Sequence, residues 1–286
     1  MPSPRHPVRV GLKHSPQWTT VAELREVWRI ADEAGFDHCW VFDHFATIGG
    51  RGTGGPILEG WTLLGAMAEA TRRTRIGVMV TGNTYRHPAV LAKMAATVDH
   101  LSGGRLEFGL GAAWAEVEHQ MLDIPFPRVS ERIGRLGEAC QVVKLLWTEP
   151  RAGFDGRFYR LRDAIAEPKP VQKPHPPIWI GGSGERKTLR VVAEHADVWN
   201  TNAGGREEGA RVIRVLEEHC AAVGRDPAEI RYSAQYRWDG GDPKRAVEDL
   251  LAQVEIGFTE LVIIVAGEHP VRVAERAAEH VLPRLR

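Results

Sequence analysis

The sequence has few cysteines, no net charge and no long apolar run. Its three cysteines, Cys39, Cys140 and Cys220, stand far apart among 286 residues. An odd number at such spacing argues against a disulfide framework and against a thiolate metal cage, and it favours a reducing compartment. Lysine plus arginine number 37, and so do aspartate plus glutamate. No overall field therefore attracts nucleic acid or an anionic membrane surface.

Export and membrane insertion are not expected either. The first seven residues contain no apolar segment of the kind found in export signals, and no stretch approaches the roughly 18 uninterrupted apolar residues of a membrane helix. With 43% hydrophobic and 26% charged residues, the chain can bury a sizeable core, which excludes disordered and fibrous classes. We expect a cytoplasmic globular protein whose length allows two ordinary domains or one large barrel.

Eight short apolar runs alternate with longer segments of helical periodicity. The runs are Val8–Leu12, His38–Phe42, Ile76–Thr81, Arg105–Leu110, Ile178–Gly181, Asp197–Asn200, Ile230–Ala234 and Leu261–Val265. Their continuous hydrophobicity predicts parallel strands buried on both faces. Apolar residues three and four positions apart predict helices between them, including 59–71, 88–101, 185–193, 207–223, 243–256 and 270–282. The α/β pattern predicts a single (β/α)8 TIM barrel over residues 1–286.

Two segments exceed the minimal barrel, and we expect insertions after strands 2 and 4. Residues 48–56 are rich in glycine and follow the second strand, which is consistent with a lid or with a plain flexible linker. Residues 149–177 contain Asp155-Gly156, typical of a tight turn, and then several prolines. This second segment would form either a wall of the site or a structural cover of the barrel.

Several familiar site motifs are incomplete in this chain. The sequence Gly109-Leu-Gly111 begins like a dinucleotide fingerprint, but Trp114 stands where the third glycine belongs. Gly181-Gly-Ser183-Gly-Glu185 has Glu at the last position of a nucleophile elbow, which argues against a serine hydrolase. Neither a P-loop nor a zinc motif is present among the twelve histidines and three cysteines. We expect no metal.

The catalytic residues of such barrels come from the carboxyl ends of the strands. Only a few residues of this sequence are therefore candidates for the site. Asp43-His44 follows the second strand and would supply an acid/base pair, although a helix cap and a surface histidine are the plainer interpretation. Polar residues 81–88 follow the third strand, and small residues 109–114 follow the fourth. Gly181 to Gly184 precede a predicted helix, which favours a phosphate cradle over a simple turn. A large phosphorylated cofactor would fit this mouth.

These segments resemble the luciferase-like oxidoreductases, and specifically the branch that depends on the deazaflavin coenzyme F420. The resemblance rests on collinear motifs at 40–45, 81–88, 99–106, 109–114 and 177–184. It implies that a deazaflavin, or FMN in the alternative, lies at the mouth of the barrel. It further implies a strand bulge with a non-proline cis peptide at Val78–Met79. The remaining cofactor-binding residues that it implies are Asp43, Thr81, Gly111, Ala112, Ala113, Gly181, Gly182, Ser183 and Gly184.

The resemblance also implies a reaction, which is hydride transfer between the cofactor and a small organic substrate. His44 would act as acid or base, with Asp43 near the polar edge of the ring. Relatives that oxidise a sugar phosphate carry an acidic residue where this chain has Trp114, which disfavours a sugar phosphate and favours a more apolar substrate. Alternatives are a monooxygenase using reduced FMN and oxygen, and a barrel that binds cofactor without turnover. Relatives often form homodimers, and exposed apolar helices would allow one here.

Overall fold

The computed structural model describes residues 6–202 and 204–286, and eight parallel strand positions close into a ring at its centre. Residues 1–5, in the segment where the sequence predicts no export signal, and residue 203 lie outside the described residues. The strands are β1 (Arg9–His14), β2 (His38–Val41), β3 (Arg75–Val78), β4 (Thr81–Gly82), β5 (Leu106–Gly111), β6 (Ala152–Asp155), β7 (Arg160–Ala164), β8 (Ile178–Gly181), β9 (Val198–Thr201), β10 (Arg231–Trp238) and β11 (Glu260–Val265). Around the ring the order is β1, β2, β3 with β4, β5, β8, β9, β10 and β11, and β11 pairs again with β1. The predicted (β/α)8 barrel is confirmed.

Helices lie between successive barrel strands, and their ends follow the chemistry of caps. The helices are α1 (Val21–Ala34), α2 (Gly60–Ala70), α3 (Pro88–Leu101), α4 (Glu116–Met121), α5 (Val129–Thr148), α6 (Thr188–His195), α7 (Arg206–Val223), α8 (Pro243–Glu255) and α9 (Pro270–Arg276). Helix α1 begins with a capping box between Thr20 and Glu23 and ends at Gly35, whose φ is 85°. Throughout 6–202 and 204–286, every helix is too short or too polar to cross a membrane.

The third barrel strand is interrupted, which the apolar run 76–81 did not predict. Strand β3 keeps its register with β2 as far as Val78, and the cis peptide follows at Met79–Val80. The expected position, Val78–Met79, was therefore wrong by one bond, because the ladder still holds Val78. A Cβ added at Gly111 or Gly181 would lie 2.8 or 2.9 Å from a Val80 methyl carbon. Glycine at both positions thus makes room for the Val80 side chain.

The barrel interior is filled in layers below the mouth. At the amino-terminal end of the strands, the buried carboxylate of Glu260 pairs with Arg9, Arg231 and His38. Above this layer lies a small apolar cluster of Trp40, Met79, Trp179, Val198 and Val262. Because side chains block the lower barrel, a ligand can enter only from the carboxyl ends of the strands.

The two segments outside the minimal barrel occupy different places. Residues 48–56 form a loop that is tied to the β1–α1 connection, since Gln17 exchanges two hydrogen bonds with the backbone of Ile48. In 149–177, β6 and β7 form a hairpin around the predicted turn, and Glu138 of α5 accepts hydrogen bonds from the amides of residues 157–159. Gln172 then binds the Asp99 carboxylate at the side of the barrel. The second segment therefore covers the barrel.

Candidate active site

A cavity of about 530 Å³ opens at the carboxyl ends of the barrel strands. Its walls contain most of the predicted site residues: Asp43, His44, Met79, Gly111, Ala112, Ala113, Gly181, Gly182, Ser183 and Gly184. The chain from 149 to 177 contributes no lining residue, so the expectation that it forms a wall of this site was wrong. Folding thus brings together four strand ends that are widely separated in sequence.

Two predicted cofactor residues lie behind the wall of the cavity. Val78 belongs to the buried core and is 1% exposed. Thr81 is fully buried, and its hydroxyl accepts a hydrogen bond of 2.7 Å from the indole of Trp61. Met79, which follows Val78, lines the cavity instead, and so do Val80 and Gly82 on either side of Thr81. Val78 and Thr81 can support the site but do not face it.

His44 follows β2, and it is held by a buried glutamate from the connection after β5. Its Nδ1 lies 2.7 Å from Oε1 of Glu118, a residue of α4. The other carboxylate oxygen accepts the amides of Phe45 at 2.8 Å and Ala46 at 3.3 Å, and the hydroxyl of Tyr85 donates to Oε1. Burial by itself would raise the pKa of Glu118, but the hydrogen bonds from His44 and Tyr85 outweigh it and hold the pKa at about 2.

This pairing fixes which ring nitrogen can act on a ligand. An ionised carboxylate can only accept, so Nδ1 of His44 carries the proton in the hydrogen bond to Glu118. The remaining nitrogen, Nε2, then has a free lone pair, and His44 lines the cavity. A carboxylate that orients a histidine in this way is the arrangement of a general base. The sequence had assigned this carboxylate to Asp43, which was wrong.

Asp43 is bound to a different partner. Its two oxygens accept from Arg86 Nη1 at 2.6 Å and Nη2 at 3.2 Å, and the same guanidinium binds Glu59 at 2.5 Å. Burial raises the pKa of the Asp43 carboxyl, and the hydrogen bond and charge of Arg86 pull it back. Asp43 is neither a helix cap nor the partner of His44, and it is the one carboxylate among the lining residues of the cavity.

The glycine-rich loop after β8 differs in detail from the predicted phosphate cradle. Helix α6 begins at Thr188, so the expected start at 185 was wrong and the helix does not follow directly. The Gly182 amide donates to the carbonyl of Asn200 at 3.0 Å. Within residues 6–202 and 204–286, the amides of Ser183 and Gly184 and the Ser183 hydroxyl make no hydrogen bond. These three donors remain for an anion.

Two cations that line the cavity have no carboxylate partner among the described residues. Lys13, at the end of β1, donates to Oε1 of Gln235 at 2.8 Å, and burial lowers its pKa to about 8. Arg132, on α5, donates from Nη1 to the carbonyl of Pro127 at 2.5 Å and lies over the ring of Phe126. Its Nε is buried and has no hydrogen-bond partner in the described chain. Asp43, the carboxylate among the lining residues, is already paired with Arg86, so it serves as partner to neither Lys13 nor Arg132.

Sequence reasoning missed Glu118, Lys13 and Arg132. Glu118 lies on a helix of six residues that was not predicted, and nothing in its spacing distinguishes it from Glu116. Lys13 continues a strand whose predicted end was Leu12, so a longer first strand would have found it. Among the described residues, no group of three or more histidine, cysteine, aspartate or glutamate side chains is arranged to hold a metal ion.

Comparison with known proteins identifies relatives over nearly the whole chain. The family model of the luciferase-like monooxygenases matches residues 5–281. An uncharacterised protein of Mycobacterium tuberculosis (strain ATCC 25618 / H37Rv) is 33% identical over 78% of this chain and 74% of its own length. An F420-dependent glucose-6-phosphate dehydrogenase of Beutenbergia cavernae is 30% identical over 98% of both chains. The solved F420-dependent secondary alcohol dehydrogenase, in complex with an F420-acetone adduct, has a TM-score of 0.87 at 19% identity, covering 98% of this chain and 100% of that one.

Proposed function

The chain belongs to the luciferase-like monooxygenase family, and within that family we propose that it is an F420-dependent oxidoreductase. It would transfer a hydride between the deazaflavin and a small organic substrate. The structural observation that carries the proposal is the buried His44–Glu118 pair at the wall of an open cavity. The named F420-dependent relatives support the choice of cofactor.

The residues at the mouth fit a large phosphorylated cofactor. Gly111, Ala112 and Ala113 give one wall with little side-chain volume, against which a flat ring can lie. The unpaired donors of Ser183 and Gly184 suit a phosphate, and the unpartnered Nε of Arg132 adds a cation. A volume of about 530 Å³ lies within the usual range for cofactor pockets. We assign these residues to cofactor binding, and we expect Met79, Gly181 and Gly182 to contact the cofactor as well.

In the proposed reaction, the bound deazaflavin supplies or accepts the hydride. The protein positions the reactants, excludes part of the water and moves a proton. His44 Nε2 takes a proton from an alcohol-type substrate, or returns one to a carbonyl-type substrate. Glu118 accepts Nδ1–H throughout and stabilises the imidazolium formed in the first case. Asp43, neutralised by Arg86, would contribute to the polar edge of the cofactor site.

The rim supports a substrate with an apolar part. The Trp114 side chain is 66% exposed and Val129 is 59% exposed, and both line the cavity together with Ile133. Covering these exposed apolar side chains with an apolar ligand would remove their surface from water and so favour binding. Trp114 in place of a carboxylate continues to disfavour a sugar phosphate, although a relative is named for that activity.

The test is a parallel calorimetric titration of the purified protein with F420 and with FMN. We expect low-micromolar or tighter binding of F420 and little binding of FMN. A preference for FMN would contradict the proposal and favour the monooxygenase alternative. Tight F420 binding without turnover on any carbonyl, enone, imine or alcohol would favour a cofactor-binding protein.

The role of His44 is tested separately, on the first substrate identified. His44→Ala should lower turnover by about 100-fold or more while leaving F420 affinity within a few fold, because a general base contributes to the barrier rather than to binding. His280→Ala removes an exposed histidine that does not line the cavity, and it serves as the matched control. Full turnover in His44→Ala would show that the proton is handled elsewhere.

A further inference from the structure

The two groups of anion-binding donors in the cavity come from different strands of the ring. Counting from β1, strand β8 is the fourth neighbour in either direction, so the backbones of Lys13 and the Ser183 loop lie opposite each other, while the Lys13 ammonium reaches Gln235 on β10. Arg132 is on α5, which connects β5 to β8, and therefore belongs to the Ser183 side. The Ser183 loop has three donors of its own for one phosphate. If the proposed function holds and the cofactor phosphate is on the Ser183 side, Lys13 is left for another group.

Lys13, like Arg132, differs from the cations of the barrel that pair with carboxylates. At the opposite end, Arg9 and Arg231 pair with Glu260, and Arg75 pairs with Glu107. At the mouth, Arg86 pairs with Asp43. Lys13 has no carboxylate within 4.0 Å anywhere in residues 6–202 and 204–286, and its one hydrogen bond is to the neutral Gln235. A partly buried ammonium with a single neutral partner leaves two donors and its charge uncompensated.

The partner of Lys13 is itself fixed. Gln235 donates to Oδ1 of Asn200 at 2.8 Å, and Asn200 donates to Ser233 Oγ at 2.9 Å. This chain of amides and a hydroxyl orients the Gln235 oxygen toward Lys13 and contains no negative charge. The Lys13 ammonium is thereby held at the cavity wall rather than left free to reach solvent. A cation that is positioned but not neutralised is suited to bind an anionic oxygen.

The backbone of Lys13 lies on the His44 side of the mouth, and its ammonium extends to Gln235 on β10. Strands β1 and β2 are neighbours, and Lys13 is paired in register with Trp40, four residues before His44. We propose that Lys13 binds the carboxylate of an organic-acid substrate whose apolar part faces the rim. The substrate class deepens the proposed function and rests on it. Carboxylate binding then presents the rest of the molecule to His44, which lines the same cavity.

The experiment compares acids with their neutral amides. Benzoate, cinnamate and hexanoate are titrated by calorimetry, each beside benzamide, cinnamamide or hexanamide, into the wild-type protein with and without saturating F420. We expect each acid to bind at least about 10-fold more tightly than its amide, since a hydrogen bond to a charged partner is worth about 1.5–3 kcal/mol. Acids that bind no better than amides overturn the inference.

Variants identify the charged residue that causes the preference for acids over amides. Lys13→Met should remove the preference for the acids while leaving F420 affinity within about three-fold, and Lys13→Arg should keep part of that preference. Ser183→Asp should show the reverse pattern, with weaker F420 binding and unchanged acid binding. Loss of F420 binding in Lys13→Met, or loss of acid binding only in Ser183→Asp, overturns the assignment. If F420 does not bind at all, the proposed function fails, while the acid titrations still test Lys13.

Discussion

Replacing Glu118 with glutamine should reverse the tautomer of His44. The glutamate accepts from four groups, with the amides of Phe45 and Ala46 on one oxygen and His44 and Tyr85 on the other. In Glu118→Gln the amide oxygen can still accept the two backbone donors. Its NH2 group must then face Nδ1 of His44, which has to become an acceptor. The proton moves to Nε2, and the ring loses its lone pair toward the cavity.

The size of the effect follows from what is lost. A hydrogen bond to a charged group contributes about 1.5–3 kcal/mol, and a chain of this length loses roughly 2 °C of melting temperature per kcal/mol. We therefore expect a melting temperature lower by about 3–6 °C. A histidine in the wrong tautomer cannot act as base, so turnover should fall by about 100-fold or more. F420 affinity should change little, because Glu118 does not line the cavity.

The assay requires no known substrate. Two-bond proton–nitrogen NMR spectra of protein labelled with ¹⁵N-histidine distinguish the two tautomers, and the His44→Ala spectrum identifies the resonance of His44. Glu116→Gln is the matched control, since Glu116 is exposed on the same helix and accepts a hydrogen bond from Gln120 rather than from His44. A proton that remains on Nδ1 of His44 in Glu118→Gln would refute the reasoning, as would an equal change in Glu116→Gln.

Three further predictions follow from other contacts. Ser183→Asp should weaken F420 binding by about 10-fold or more through repulsion of the phosphate, with Ser183→Ala much closer to wild type in the same titration. Arg86→Met should cost about 3–5 kcal/mol in chemical denaturation, because it leaves the buried Asp43 unpaired, and adding Asp43→Asn should restore part of that loss; no restoration would contradict the pairing. Burial would raise the pKa of Glu260, but His38, Arg231 and Arg9 hold it at about 2, below the ordinary value of 4.5. The ionised Glu260 therefore adds about 3 kcal/mol to the free energy of unfolding above pH 4.5, and this stability is lost as the pH falls toward 2. In Glu260→Gln, the free energy of unfolding should fall less steeply between pH 4.5 and 2 than in the wild type. An unchanged pH dependence would contradict this assignment.

The sequence by itself determined the barrel and the region of the site. Burial on both faces leaves a local signature in runs such as Leu261–Val265, and helices leave theirs in three-and-four spacing, so the order of elements can be found without long-range information. Because a parallel barrel collects its carboxyl ends at one mouth, that order also predicted that Asp43, His44 and Ser183 share a cavity. The extent of a single domain over 1–286 stays a prediction.

Only the tertiary structure decided which side chains pair and which charges remain free. Glu118 and His44 are 74 positions apart, and no periodicity relates a residue of a short polar helix to a distant strand end. The same holds for Arg86 with Asp43, and for the absence of a carboxylate beside Lys13 in the described part of the chain. Apolar burial is averaged over many residues and is encoded locally, whereas a hydrogen bond depends on two atoms within about 3 Å of each other. The fold was therefore predictable, but the electrostatics of the site required the folded chain.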